Sequence, residues 1–311
     1  MKTVSVVMCT YNGEKYIREQ IDSILNQTYP IYELIIQDDC STDGTVSIIN
    51  EYVNKFSNVQ LYINEKNLGF NTNFESVAMK AHGDFVAISD QDDVWFPKKI
   101  EKQVSSIGEH DICCSLYVRG KCLDEANILQ MKFCFERQLF SSILGHTMLC
   151  RRSFIQKKEN WLPSIWYDWS LALHGYLNNG VVAVNEPLNW HREHSGEISK
   201  SFCHEKKPNV ISPYIFGYSK YRKWQQNGNW RFIYSYLYKH TSERHSLVHT
   251  ICSLLLKEDF VSLVRLCCIC LKYREKIYPS KPNGIIGMIR AFFYPMLHGF
   301  FIENLYVDWS K

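Results

Sequence analysis

The stretch GDFVAISDQDDVWFP, Gly83 to Pro97, decides how the rest of the chain is read. Phe85 to Ser89 is a short, mostly apolar run, the pattern of a strand buried on both faces. It ends abruptly in three carboxylates, Asp90, Asp92 and Asp93. Side chains alternate along an extended chain, so if the strand geometry continues Asp90 and Asp92 project to one side, where uncompensated they repel each other. A hard divalent cation removes that repulsion; Mg²⁺ takes one or two carboxylates and completes its shell with water and substrate phosphate. A plainer reading stands beside it, a polar turn in which Asp93 or a neighbour caps a helix that has Pro97 in its first turn. An Asp-x-Asp pattern is too short to separate the two.

Upstream, Val4 to Met8 is an apolar run ending at Cys9-Thr10-Tyr11-Asn12-Gly13, and Tyr16, Ile17, Ile21, Ile24 and Leu25 follow at helical spacing. This is a strand, a loop and an amphipathic helix. Glu33 to Gln37 is a second apolar run; it ends in Asp38-Asp39, then Ser41-Thr42-Asp43-Gly44, and a helix with Val46, Ile49 and Val53 on one face. Val59 to Ile63 reads as a third strand, and Asn67-Leu68-Gly69-Phe70 turns into a helix from about Thr72 to Ala81. Strands alternating with helices through short connections imply parallel strands and right-handed crossovers, hence a doubly wound α/β sheet. Ligands of such sheets bind beyond the carboxyl ends of the strands. Three of those ends carry Thr10-Tyr11-Asn12, Asp38-Asp39 and Asp90-Gln91-Asp92. No GxGxxG or GxxxxGK[ST] pattern occurs, which argues against a dinucleotide on a glycine loop and against a P-loop.

Beyond Pro97 a helix (Ile100, Val104, Ile107) leads to a strand from Asp111 to Tyr117. Residues 119–145, with Phe133, Phe135, Leu139 and Phe140, read as a helix or as a loop on the acceptor side. Gly145 to Cys150 reads as a buried strand, Leu171 to Leu177 as a helix, and Val181 to Val184 as a short strand ahead of Asn189-Trp190-His191-Arg192-Glu193-His194. Asp168 lies in the aromatic run Trp161 to Trp169. It is either a carboxylate raised by apolar rings into the range of a general base, or the cap of the helical run behind it. His194 is a candidate ligand for metal or phosphate, against the commoner role of an ordinary surface or core histidine.

At 311 residues, 46% hydrophobic and 22% charged, the chain has the composition of a folded protein with a sizeable core. Val4 to Met8 is too short for a secretory signal, so a cytoplasmic location is expected. The twelve cysteines are scattered or bunched, with no CxxC pairs of zinc-site spacing, and read as reduced, mostly buried thiols. Charge is asymmetric. Residues 1–110 carry 9 Lys+Arg against 16 Asp+Glu, 111–198 carry 9 against 9, and 199–311 carry 17 against 7. The basic, aromatic C-terminal third suits an anionic surface such as lipid headgroups, or is a solvated basic face.

Taken together and in order, Val-Ser-Val-Val-Met-Cys-Thr-Tyr-Asn-Gly, Gln-Asp-Asp-Cys-Ser-Thr-Asp-Gly-Thr, Asn-Leu-Gly-Phe, Ser-Asp-Gln-Asp-Asp-Val-Trp and Tyr-Asp-Trp resemble the family 2 glycosyltransferases. The resemblance covers residues 3–200 and is strongest to bacterial rhamnosyltransferase-type members that build capsule or O-antigen. It implies the GT-A nucleotide-sugar-binding fold, Rossmann-like with helices on both faces of a mainly parallel sheet. It divides the chain into a catalytic domain, 1–200 (nucleotide-binding half 1–110, acceptor half 111–200), and a helical extension, 201–311. By the same resemblance Thr10, Tyr11 and Asp39, with Asp38, hold the nucleoside. Asp90 faces the ribose and diphosphate, Asp92 ligates Mg²⁺ or Mn²⁺, and Asp168 is the catalytic base. His194 matches a late histidine that reaches the metal or diphosphate. Cys9 departs from the Pro or Thr frequent in the family and leaves base preference open. The implied reaction is inverting transfer of a sugar from a dTDP-rhamnose or UDP-sugar donor to a glycan or lipid-linked glycan.

In the C-terminal third, Leu247, Ile251, Leu254 and Leu255, then Phe260 to Leu271, read as helices. Gly284 to Ile302 is apolar but interrupted by Arg290, Pro295 and His298, which argues against a membrane span. These helices either pack as structure or form a face lying on the inner membrane; no nucleic-acid partner is expected. Two other functions compete. One is a non-catalytic nucleotide-sugar-binding component of a polysaccharide assembly complex, which would not need the full set Asp90, Asp92, Asp168 and His194. The other is a sugar nucleotidyltransferase, which would favour a glycine-rich, basic first loop over Thr10-Tyr11-Asn12-Gly13-Glu14.

Overall fold

The computed structural model describes residues 1–129, 131–163, 165–194, 211–241, 243–278 and 284–302. The chain forms two compact units, Met1–Phe133 with Ser142–His194, and Cys134–Ser141 with Ser195–Lys311. The boundary expected at residue 200 lies outside the described residues, and the segment 134–141 groups with the C-terminal unit.

In the first unit the elements run β1 (Val4–Thr10), α1 (Ile17–Leu25), β2 (Glu33–Asp38), α2 (Thr45–Lys55), β3 (Val59–Ile63), α3 (Phe70–Ala78), β4 (Phe85–Ser89), β5 (Val94–Trp95), α4 (Lys99–Ser106), β6 (Ile112–Gly120) and β7 (Asn127–Leu129). After α5 (Phe135–Gln138), which belongs to the other unit, come β8 (Leu149–Arg151), α6 (Arg152–Ile155), α7 (Tyr167–Leu177) and β9 (Val181–Arg192). One sheet runs in the order β3-β2-β1-β4-β8-β6-β9-β5, with β7 paired to β6. β1, β2, β3 and β4 pair in parallel. Alternate residues of β1 serve opposite cores. Val7 joins Ile35, Val86 and Ile88 under α3 and α7, whereas Val6 and Met8 join Leu34 and Ile36 under α1, α2 and α4. The apolar runs of β2 and β4 therefore lack a polar face.

Past β4 the sheet is mixed, since β8 is antiparallel to both β4 and β6. Three expectations change here. Gly145–Thr147 is a single 3₁₀ turn and only Leu149–Arg151 is strand; a Cβ at Gly145 would stand 2.1 Å from the Tyr167 hydroxyl. The strand expected over Val181–Val184 continues through Pro187 to Arg192, because register shifts opposite it, between Ser115 and Val118, absorb the irregularity. Val94–Trp95 is a strand rather than a capped turn, antiparallel to Asn189 and Trp190.

A buried polar network fastens that last pair. The Asp93 carboxylate, fully buried, faces His191 Nδ1 at 2.9 Å and His146 Nδ1 at 3.1 Å, and accepts from Asn189 Nδ2 at 3.2 Å. Lys99, also fully buried, donates to the His146 carbonyl at 2.8 Å and lies 4.9 Å from the Trp95 ring centre. Burial pulls the His191 pKa down, but the hydrogen bond and charge of Asp93 outweigh it and raise it to about 9. Burial lowers Lys99 to about 7 against the opposing pull of Asp93. Burial also drops His146 to about 3, leaving a neutral ring whose Nδ1 accepts from Asn189 Nδ2 at 2.8 Å.

The second unit contains α5, α8 (Ser212–Gln226), α9 (Gly228–His240), α10 (Ser246–Leu256), α11 (Phe260–Lys272), α12 (Arg274–Ile277), α13 (Ile285–Phe292) and α14 (Tyr294–Ile302). α5 explains the unreadable aromatics of 119–145. The Leu139 carbonyl accepts from the Tyr234 hydroxyl at 2.8 Å, Arg137 donates to the Ile277 carbonyl at 3.1 Å, and Phe140 packs edge-on against Tyr294 and His298. Trp224, Trp230 and Tyr234 form the aromatic centre. The helical extension is thus a packed body with its own core.

Asp93→Asn keeps the shape of the network's hub and deletes its charge; breaking a buried pair of this kind is expected to cost about 3–5 kcal/mol. That is comparable with about 2–5 kcal/mol for Ile36→Ala in the core. Urea unfolding of both variants checks it. A loss for Asp93→Asn no larger than one ordinary hydrogen bond, about 1 kcal/mol, would show that the hub does not hold β5 to β9.

Candidate active site

The carboxyl ends of β1, β2 and β4 meet in one corner, tied together by their own loops. Thr10 Oγ1 donates to Asp38 Oδ2 at 2.7 Å, and Asp38 also accepts from the Ser41 backbone N–H and hydroxyl at 2.8 and 2.6 Å. Both side chains are buried, and the bonds between Thr10, Asp38 and Ser41 tie the two loops together. Asp39 is equally committed: its carboxylate accepts from the N–H groups of Leu68 and Gly69 at 2.7 and 2.9 Å and from Asn64 at 2.8 Å. It fixes the turn into α3, where Gly69 takes φ +76°. Tyr11 is the member left open, 49% exposed.

Gln91, the residue between the two aspartates, was passed over in the sequence. In the bend beyond β4 it turns toward the β1 loop, where its amide accepts from the Tyr11 N–H at 2.9 Å and donates to the Tyr11 carbonyl at 3.0 Å. Gly13 is needed at this clasp, since a Cβ there would lie 2.2 Å from Gln91 Oε1. β4 ends at Ser89 and Gln91 lies in the bend beyond it, so no strand periodicity in the sequence marks this contact.

Asp92 Oδ2 lies 2.7 Å from His194 Nε2. His194 is brought there by β9, and Tyr16, whose ring centre is 4.7 Å from that of His194, backs it from the start of α1. Arg192 reinforces the join, donating to the Asp92 carbonyl at 3.2 Å and to Glu19 at 2.5 Å, with its guanidinium over the Tyr16 ring. Asp90 is raised well above the usual carboxylate range, first by burial and then by the charges of Asp93, Asp92 and Asp168, against a lowering pull from His191.

Asp168 sits in the first turn of α7, not ahead of it, so the capping alternative is met only in part. It accepts from the Trp169 N–H at 2.6 Å, while the helix N-cap is Trp166, which makes no side-chain cap bond. Burial raises its pKa to about 6, opposed by hydrogen bonds from Ser142 and from the backbone of Trp169 and Gly145. Asn71 holds this turn in place: its amide accepts from the Tyr167 N–H at 2.9 Å and donates to the Ile165 carbonyl at 3.1 Å. The structure thereby brings Asp90, Asp92, Asp168 and His194 into one region, with Tyr11 on the first loop.

A buried Asp90 whose pKa is driven up by the charge of neighbouring Asp92 is a donor suited to a divalent cation, and the Asp92–His194 pair adds one oxygen and one nitrogen donor. Among the described residues, Asp93, His146 and His191 also bring potential ligand atoms within 4.8 Å of one another. Hydrogen bonds already occupy the nitrogens facing Asp93, and the Lys99 amine lies beside them, so this group is better matched to the protons it carries.

The sequence pattern of Glycosyl transferase family 2 matches residues 5–160. A putative teichuronic acid biosynthesis glycosyltransferase of Bacillus subtilis, TuaG, is 37% identical over 210 residues, 64% of this chain and 82% of that one. The poly(ribitol-phosphate) β-N-acetylglucosaminyltransferase TarS of Staphylococcus aureus is 38% identical over 199 residues, 59% of this chain. The match spans only 34% of TarS, and 39% of the putative glycosyltransferase EpsE of B. subtilis. Among solved structures, residues 1–349 of TarS with UDP-GlcNAc cover 97% of this chain and 92% of that one, at TM-score 0.62 and 18% identity. The mannosyltransferase PcManGT of Pyrobaculum calidifontis, with GDP-Man and Mn²⁺, covers 100% and 88% at TM-score 0.53 and 14% identity. The sheet, the acidic strand ends and these likenesses agree: the chain belongs to glycosyltransferase family 2 and has the GT-A fold.

Proposed function

We propose that the protein transfers a sugar from a nucleoside-diphosphate donor to a hydroxyl of a growing bacterial surface glycan, with inversion at the anomeric carbon. The observation that carries this reading is Asp168, a buried carboxylate with a pKa of about 6, set close enough to the Asp90–Asp92 corner to raise the pKa of Asp90. A base must be ionised near neutral pH yet strong enough to take a proton from an attacking hydroxyl, and a carboxyl raised by burial meets both needs. The glycan acceptor is favoured by the names of the relatives, one in teichuronic acid biosynthesis and one acting on poly(ribitol-phosphate). UDP-sugars are favoured by the UDP-GlcNAc bound to TarS; dTDP-rhamnose remains the donor implied by the resemblance to rhamnosyltransferases.

In this reading Tyr11 offers an exposed ring to the nucleoside, and Asp39 shapes the floor beneath it. Asp92, with His194 behind it and Asp90 beside it, would hold Mg²⁺ or Mn²⁺. When bound, the cation would compensate the charge that develops on the departing diphosphate. Asp168 accepts the proton of the acceptor hydroxyl as its oxygen attacks the anomeric carbon from the face opposite the diphosphate. A single in-line displacement inverts that centre. Ser142 and the backbone of Trp169 and Gly145 hold the carboxylate of the base, and Asn71 holds the turn that carries it.

Asp168→Asn is expected to lower turnover by about 10²–10⁴-fold while leaving the donor-induced thermal shift intact; unchanged turnover would remove Asp168 from the mechanism. Because the ionised form is the active one, kcat/KM should rise with pH through about 6 and level off above it. A profile flat from the acid side upward would count against the assignment. Asp92→Ala should abolish the difference between thermal shifts measured with UDP-sugars in Mn²⁺ and in EDTA, a ligand of the native state being stabilising only if it binds. The same shift for the parent protein with and without metal would overturn the cation site.

A further inference from the structure

We infer that the second unit carries a docking face for anionic phospholipid, formed by α8, α11 and α13. This deepens the reading of a glycan acceptor by assigning a lipid surface as the place where it is met. Ile215 on α8, Phe260 on α11 and Ile285 on α13 are 64%, 66% and 74% exposed. They stand with exposed Phe216, Val261 and Ile286 rather than singly. The three helices adjoin: the Tyr218 and Phe260 rings lie 6.4 Å apart, joining α8 to α11, and Tyr214 meets Phe293, the residue just after α13, at 5.7 Å. Exposed apolar side chains grouped in this way mark an interaction surface rather than ordinary surface scatter.

Charge identifies the occupant. None of the 36 residues of α8, α11 and α13 (15, 13 and 8) is acidic, whereas Lys220, Arg222 and Lys223, Arg265 and Lys272, and Arg290 are basic. Glu258 and Asp259 stand just ahead of α11: Glu258 is bound by Arg222 and Arg231, and Asp259 caps the helix, accepting from the Ser262 N–H and hydroxyl. A second protein surface would ordinarily be met by charges of both signs; apolar side chains among cations of one sign match acyl chains beneath anionic headgroups. On α11 the apolar Phe260, Val261 and Val264 share the exposed side with Arg265 and Lys272. No helix among the described residues is long and apolar enough to cross a membrane, so the contact is a resting one, in the plane of the headgroups.

The test is flotation of the full chain with vesicles of phosphatidylcholine containing phosphatidylglycerol, and with phosphatidylcholine alone, at low and high salt. Co-flotation is expected with the anionic vesicles and should fall steeply with salt. A variant combining Ile215→Ser, Phe260→Ser and Ile285→Ser, and a second with Arg265→Glu and Lys272→Glu, should each lose binding by about tenfold or more. Donor-induced thermal shifts of the same preparations report separately on folding and on the sugar-nucleotide site, so loss of lipid binding is distinguishable from failure of the transferase reading. Absence of co-flotation at low salt overturns the proposal. So does flotation of the serine variant at the parent's level, or sedimentation showing that the face joins two copies of the chain while the parent ignores lipid.

Discussion

Everything at the working end of the first unit depends on a concentration of negative charge in one poorly hydrated corner. β4 is buried on both faces and ends by delivering three aspartates within four residues, and α7 brings a fourth carboxylate nearby. Each is handled differently. Asp93 is neutralised from behind by His191 and Lys99, Asp92 meets His194, and Asp90 is left with burial and its neighbours' charge driving its pKa up. Asp168 is softened by burial and held by hydrogen bonds. Similar side chains thus acquire distinct tasks from their surroundings, which is how one chemical group serves both as ligand and as base.

The surrounding polar residues follow from this constraint. A corner that must hold repelling groups needs rigid loops, and the loops after β1 and β2 lace to each other through Thr10, Asp38, Ser41 and Asn12. Gln91 clasps the first loop to the acidic one, and Arg192 clasps the end of β9 to Asp92 and α1. Several conspicuous polar residues are therefore bonded to one another, which fixes the loops that carry them.

The second unit is organised by another balance. Its core is aromatic and closed, with Trp224, Trp230 and Tyr234 at the centre, and where Gly299 backs onto α8 a Cβ would stand 2.8 Å from the Tyr221 Cα. Enough apolar surface is left outside that core, among cations and without acids on the same helices, to make an external partner the natural complement.

Much of this was legible in the sequence. The apolar runs of β1 to β4, their parallel order and the acidic strand ends follow from periodicity and short connections, because local pattern dictates local structure. Order and spacing of motifs carried the family and the positions of Asp90, Asp92, Asp168 and His194. What only the tertiary structure decided is partnership across long separations. Thr10 and Asp38 spend their oxygens on each other, and Asp93 answers His146 and His191 rather than capping a helix. β9 runs unbroken past Pro187, and Phe135, Leu139 and Phe140 serve the helical unit rather than the sheet. The physical reason is the same in each case. A sequence shows which groups can ionise, pack or hydrogen-bond, but packing chooses which of them meet.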